Sequence, residues 1–186
     1  MPLFPEAVSA NSEVAEQLAA LDVSLEADDR PPDWFSIDGI EAPRQLGIDG
    51  AGGAFVLLPS NHVLYASSEG RAGIIAATFE DFIQIVVACP YWLEILKFSA
   101  GGDLEQMRRA AGALEATLDH EDDINDARDA IRDALDLPAL EDPVGALYEA
   151  VAASDAIVRA TDGSPFTTLF NRFTIDRNPM LRNAAA

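Results

Sequence analysis

The sequence predicts an α+β fold: an antiparallel β-sheet meander packed against helices, with a helical C-terminal extension. Three observations point there. Hydrophobic residues make up 49% of the 186 residues, so the chain can bury one sizeable core despite a formal net charge of −20. Apolar residues recur at helical spacing in the first segment and again after Thr78. Between Arg44 and Ala77 the period changes to short strands separated by glycine, asparagine and serine turns.

The first segment, Ser9 to Leu25, reads as one helix. Asn11 or Ser12 can cap it, and Val14, Leu18 and Leu21 lie on one face. Asp28-Asp29-Arg30-Pro31-Pro32-Asp33 is a loop by composition, after which Trp34 and Phe35 anchor the chain to the core. Gln45-Leu46-Gly47-Ile48 leads into the turn Asp49-Gly50-Ala51-Gly52-Gly53. Strands follow at Ala54–Leu58, His62–Ala66 and Gly73–Ala76, joined by Pro59-Ser60-Asn61 and Ser67-Ser68-Glu69-Gly70.

The remainder reads as helix. Thr78 with Asp81 approximates a capping box, and Phe79, Phe82, Ile83, Val86 and Val87 form one stripe. Pro90 ends that helix and can open the next, which carries Tyr91, Trp92, Ile95, Leu96 and Phe98. Ser99-Ala100-Gly101-Gly102 is a break, so the chain divides into residues 1–98, an α+β unit, and 99–186, a helical extension on the same core. Three amphipathic segments follow. Their stripes are Leu104/Met107/Ala111/Leu114/Leu118, Ile124/Ala127/Ile131/Leu135, and Val144/Leu147/Tyr148/Val151/Val158. Phe166, Leu169, Phe170 and Phe173 predict a docked tail.

Charge excludes several functions. Twelve Lys+Arg stand against 32 Asp+Glu, so the surrounding potential repels nucleic acid and anionic membranes. A basic protein is the electrostatic complement. Cys89 is the only cysteine, which excludes an intrachain disulfide and a Cys-rich zinc site and suits a reducing compartment. The N-terminus lacks a basic, then apolar, leader, and no apolar run reaches the roughly 20 residues of a membrane span. A cytoplasmic protein is expected.

No motif argues for chemistry. Cys89-Pro90-Tyr91-Trp92 has Trp92 where a dithiol motif needs its second sulfur. His120-Glu121-Asp122-Asp123 lacks the central glycine of a calcium loop, and acids suit a helix start. The glycines at 50, 52 and 53 precede a strand, and so form neither a Walker nor a Rossmann loop. No catalytic, cofactor-binding or metal-binding residue is assigned.

The ordered set Leu46-Gly47-Ile48-Asp49-Gly50-Ala51-Gly52-Gly53-Ala54-Phe55-Val56-Leu57-Leu58, Val63-Leu64-Tyr65-Ala66-Ser67-Ser68-Glu69-Gly70, Ala72-Gly73-Ile74-Ile75-Ala76 and Phe79-Glu80-Asp81-Phe82-Ile83 resembles the SUKH superfamily, also called Smi/Knr-like. The likeness covers roughly residues 45–98. It implies an antiparallel sheet packed on helices and a binding role. Bacterial members are mostly immunity proteins that neutralise toxin domains, many of them nucleases; eukaryotic relatives regulate cell-wall assembly. The early Leu-Pro-x-x-Tyr/Phe helix of the family has only a loose counterpart in Pro31-Pro32-Asp33-Trp34-Phe35.

The expected function is therefore a non-enzymatic, acidic, protein-binding module that occludes a toxin domain. Partner-contact candidates are Trp34, Tyr65 and Trp92 as aromatic anchors, Glu69 as an ion-pair partner, and Asp119, Glu121, Asp122 and Asp123 as a steering patch. Core packing of the aromatics and solvation of the acids are the bland alternatives. Two other classes stay open. One is a scaffold self-associating as a homodimer through Leu104, Met107, Ala111, Leu114 and Leu118. The other is an enzyme with a metal-assisted site built from Asp38, Asp49 and Glu69.

Overall fold

In the computed structural model, which describes residues 3–26, 30–118 and 122–184, the predicted α+β class is found. The N-terminal segment is two helices, α1 (Pro5–Ser9) and α2 (Ser12–Ala20), followed by a short strand, β1 (Ser24–Leu25). Asn11 caps α2 by accepting from the Val14 amide at 3.3 Å. The predicted single helix to Leu25 stops early because Asp22 takes a left-handed φ of 64°. The chain then pairs Ser24 and Leu25 with Ile48 and Gly47.

The meander is β3 (Arg44–Ile48), β4 (Ala54–Leu57), β5 (Val63–Ala66) and β6 (Ala72–Ala76), all antiparallel. With β1 it forms one sheet in the order β1-β3-β4-β5-β6. Gly47 permits this edge, since a Cβ there would sit 2.2 Å from the Ser24 carbonyl oxygen. Successive side chains alternate between faces. Phe55, Val63, Tyr65 and Ile75 join the larger hydrophobic cluster, whereas Ala54, Val56, Leu64 and Ile74 join a smaller one on the opposite face.

Helices cover the first face. In α3 (Phe79–Ala88) the residues Phe79 and Phe82 to Val87 are all buried, and Thr78 caps the helix through the Asp81 amide at 3.1 Å. α4 (Trp92–Lys97) begins two residues after Pro90, with Tyr91 as its cap. Then follow α5 (Leu104–Leu118), α6 (Asp122–Leu135) and α7 (Pro143–Ala152). Met107, Ile131 and Leu147 from these three belong to the same cluster as Phe55 and Phe82.

The second face is covered by a two-stranded ribbon that the sequence did not suggest. β2 (Phe35–Ile37) pairs antiparallel with β7 (Val158–Ala160). The expected last helix therefore ends at Ala152, and Val158 is a strand residue opposite Ile37. The tail returns along the outer edge of β6, where the Ala72 amide donates to the Thr167 carbonyl at 2.9 Å. It closes in α8 (Pro179–Ala184), with Leu169, Ile175 and Leu181 buried. No helix among the described residues is long and apolar enough to cross a membrane.

Candidate functional site

The Asp49–Gly53 turn is built around its own acid. Asp49 is only 3% exposed. Its Oδ1 accepts from the Ala51 amide at 2.9 Å and the Gly53 amide at 2.7 Å, and its Oδ2 accepts from the Tyr65 hydroxyl at 2.5 Å. Buried carboxylates need such donors to offset lost hydration. Gly53 is required because a Cβ would lie 2.4 Å from the Tyr65 hydroxyl oxygen. Burial, then the bond to Asp49, pushes the Tyr65 hydroxyl far above its ordinary pKa, so it stays protonated.

This corner is one wall of a cleft of about 390 Å³, bounded by the β5–β6 turn, α4 and the tail. Glu69, Arg71, Glu94, Lys97 and Phe173 line it. Arg71 is committed to the tail carbonyls of Thr168 at 3.0 Å and Phe170 at 3.4 Å. The serine hydroxyls serve the backbone: Ser67 accepts from the Arg71 amide at 3.1 Å, and Ser68 donates to the Ala51 carbonyl at 3.0 Å. Phe173 is 44% exposed, which gives the cleft an apolar lip.

The predicted contact residues fall into separate places. Tyr65 and Trp92 are buried and meet edge to face with centroids 5.0 Å apart. As partner anchors both are corrected: their surfaces are already covered by Phe55 and its neighbours. Trp34 is half-buried against Phe35 and Phe166 on the smaller cluster. Glu69 is exposed at the cleft mouth. Asp122 and Asp123 are exposed at the start of α6, while Asp119 and Glu121 lie outside the described residues.

Sequence reasoning missed how far that acidity runs. Asp122, Asp126, Asp129 and Asp133 are spaced by four, three and four residues, which places them on one face of α6. All four are exposed, opposite the buried Ala127, Arg128 and Ile131. Arg132 pairs with Asp129 at 3.1 Å. Among the described residues Asp122, Asp126 and Asp133 have no cationic partner. The helical period of the aspartates was the available signal.

The three acids considered for metal chemistry do not converge. Asp49 is saturated by internal donors, Asp38 pairs with Arg159 at 3.0 Å, and Glu69 stands at the cleft. Among the described residues no group of three His, Cys, Asp or Glu side chains is placed to hold a metal ion. Cys89 is buried, and that burial pushes its thiol up to about 12. No protein-family model, curated protein or solved structure matches the chain.

Proposed function

We propose that this chain is an acidic, non-enzymatic protein-binding module of the SUKH type. It acts in the cytoplasm, steering and occluding a basic partner such as a nuclease-type toxin domain. The observation that carries this reading is the exposed aspartate face of α6, Asp122, Asp126, Asp129 and Asp133, with Arg132 as its only ion-pair partner among the described residues. A field of one sign accelerates encounter with an oppositely charged protein and rejects like-charged ones. The antiparallel sheet packed on helices fits the architecture that the SUKH resemblance implies.

Two features weigh against the other classes. Met107 and Leu114 of the α5 stripe are buried in the chain's own core, so that stripe has little surface left for a second copy. In the cleft, Ser67 and Ser68 bond to backbone groups, and among the described residues neither hydroxyl is hydrogen-bonded to a carboxylate or imidazole.

Capture from the source cell's lysate at low and high salt, followed by reconstitution with the purified partner, tests the reading. A stoichiometric basic protein is expected, released by salt and bound more weakly by the D126N/D133N variant. A complex indifferent to both salt and these substitutions overturns it, as does the absence of any stoichiometric partner.

A further inference from the structure

A second surface lies between α7 and β6, away from the cleft and from the aspartate face of α6. A depression of about 480 Å³ has Ile74, Ile85, Ala146 and Ala150 among its lining and Asp81, Glu149 and Asp155 among its charged groups. It shares His62, Ile74 and Asp155 with a neighbouring depression of about 270 Å³, which extends it toward Asp38 and Ile157. The two form one groove whose accessible apolar surface is Ala146, Ala150, Ala153 and Ile157, beside the buried Ile74 and Ile85. No lysine or arginine lines either part. Asp38 is paired with Arg159 from outside the groove, while Asp81, Glu149 and Asp155 form no ion pair among the described residues.

Charge and helix direction agree. Glu149 is exposed in the last turn of α7 and Asp155 is exposed three residues beyond its end, and among the described residues neither forms an ion pair. That end of a helix carries partial negative charge and favours cations, yet α7 has no basic residue in its last turn. Two acids therefore add to a negative helix end. At the groove's far end Ile157 is 49% exposed, an unusual position for a β-branched aliphatic side chain. The walls are held in place: the Ile74 amide donates to Ser154 Oγ at 3.0 Å, tying the end of α7 to β6.

We infer that this groove docks an amphipathic basic segment of a partner protein, with aliphatic side chains against the half-buried Ala146 and Ala150 and the exposed Ile157, and Lys or Arg side chains against Glu149 and Asp155. Small Ala146 and Ala150 let a helix or extended segment approach closely, and apolar anchors with flanking charges are the usual terms of such recognition. The inference rests on the binding-module reading and names the surface that anchors, as distinct from the α6 face that steers.

The full chain, isotope-labelled, is titrated with three short synthetic peptides: Leu/Lys, Ser/Lys of equal charge, and Leu/Glu. Saturable shifts at Ile74, Ala76, Ala146 and Ala150 are expected with Leu/Lys and not with the other two. The E149K/D155K variant changes only exposed side chains, and it should weaken Leu/Lys binding by at least about tenfold. Equal binding of Ser/Lys or Leu/Glu overturns the inference. So do shifts confined to α6, or unchanged affinity in E149K/D155K. A natural complex weakened by D126N/D133N but not by E149K/D155K overturns the groove alone and leaves the module reading standing.

Discussion

Replacing Arg128 with Met tests what holds the C-terminal helices to the sheet-covering layer. Arg128 is 8% exposed on α6 and reaches the end of α3. Its Nε donates to the Val87 carbonyl at 2.8 Å and its Nη2 to the Ala88 carbonyl at 2.9 Å. These are helix-end carbonyls with no partner in their own helix. Its Nη1 donates to Glu115 at 2.9 Å and Asn125 at 3.2 Å, and Glu115 also accepts from the Tyr91 hydroxyl. Hydrogen bonds to a charged group contribute about 1.5–3 kcal/mol each. Val87 is buried, so its carbonyl loses the full amount; Ala88 is half-buried, so water recovers part. Glu115 is 43% exposed as a side chain and rehydrates, which makes its share small. The sum is about 3 kcal/mol for R128M. It should appear as a fall in melting temperature of about 6–12 °C for a chain of this size. Urea unfolding, followed by circular dichroism and by fluorescence of the buried Trp92, measures it. A loss under about 1 kcal/mol refutes the carbonyl-capping account. E115A costing as much as R128M also refutes it, because the ion pair would then dominate.

Three further outcomes follow from contacts already described. G53A should destabilise the chain by about 1–3 kcal/mol through the Tyr65 ring, and lose most of that cost in a Tyr65→Leu background; an unchanged cost in that background removes the steric explanation. Cys89 should resist a disulfide-exchange reagent in the native state and react once the chain unfolds, so rapid native labelling contradicts its burial. Burial raises the Glu115 pKa, but bonds from Tyr91 and Arg128 outweigh it and hold the group below its ordinary value. Its contribution is therefore present above the unfolded carboxylate pKa and lost as pH falls through the folded value. E115Q should flatten the acid limb of stability against pH, and an unaltered limb would assign it to other carboxylates.

The legible parts of the fold were those with a local cause. Thr78 and Asp81 announce the start of α3, and the short, continuously apolar runs at Ala54–Leu57 and Val63–Ala66, bounded by turn residues, announce strands buried on both faces. β1 escaped notice because two residues carry no period and Leu21 continues the α2 stripe into it. Val158 lies seven residues after Val151, so it extends a helical stripe; its real partner is Ile37, 121 positions earlier in the chain. The site divides the same way. Asp49 is legible as a turn residue, whereas its bond to Tyr65 depends on the β4–β5 register that sets Phe55 opposite Tyr65. The groove joins His62, Ile74, Asp81, Ala146 and Asp155, which no local pattern connects.

The residues that carry the SUKH resemblance are occupied by the fold: Asp49 and Gly53 by the Tyr65 bond, Phe79 and Phe82 by the core. They speak to architecture, and the proposed binding role rests chiefly on Asp126 and Asp133, which form no ion pair among the described residues. On α6 the like-charged neighbours Asp122/Asp126, Asp126/Asp129 and Asp129/Asp133 repel, at about 0.2–0.5 kcal/mol for each such pair in a helix. Neutralising Asp126 and Asp133 should therefore stabilise the isolated chain by about 1 kcal/mol and reduce its stabilisation by salt, while weakening the complex. Stability gained where affinity is lost is the expected mark of a surface kept for a partner. If D126N/D133N instead lowers stability at every salt concentration, those aspartates serve the helix itself, and the steering role loses the observation that supports it.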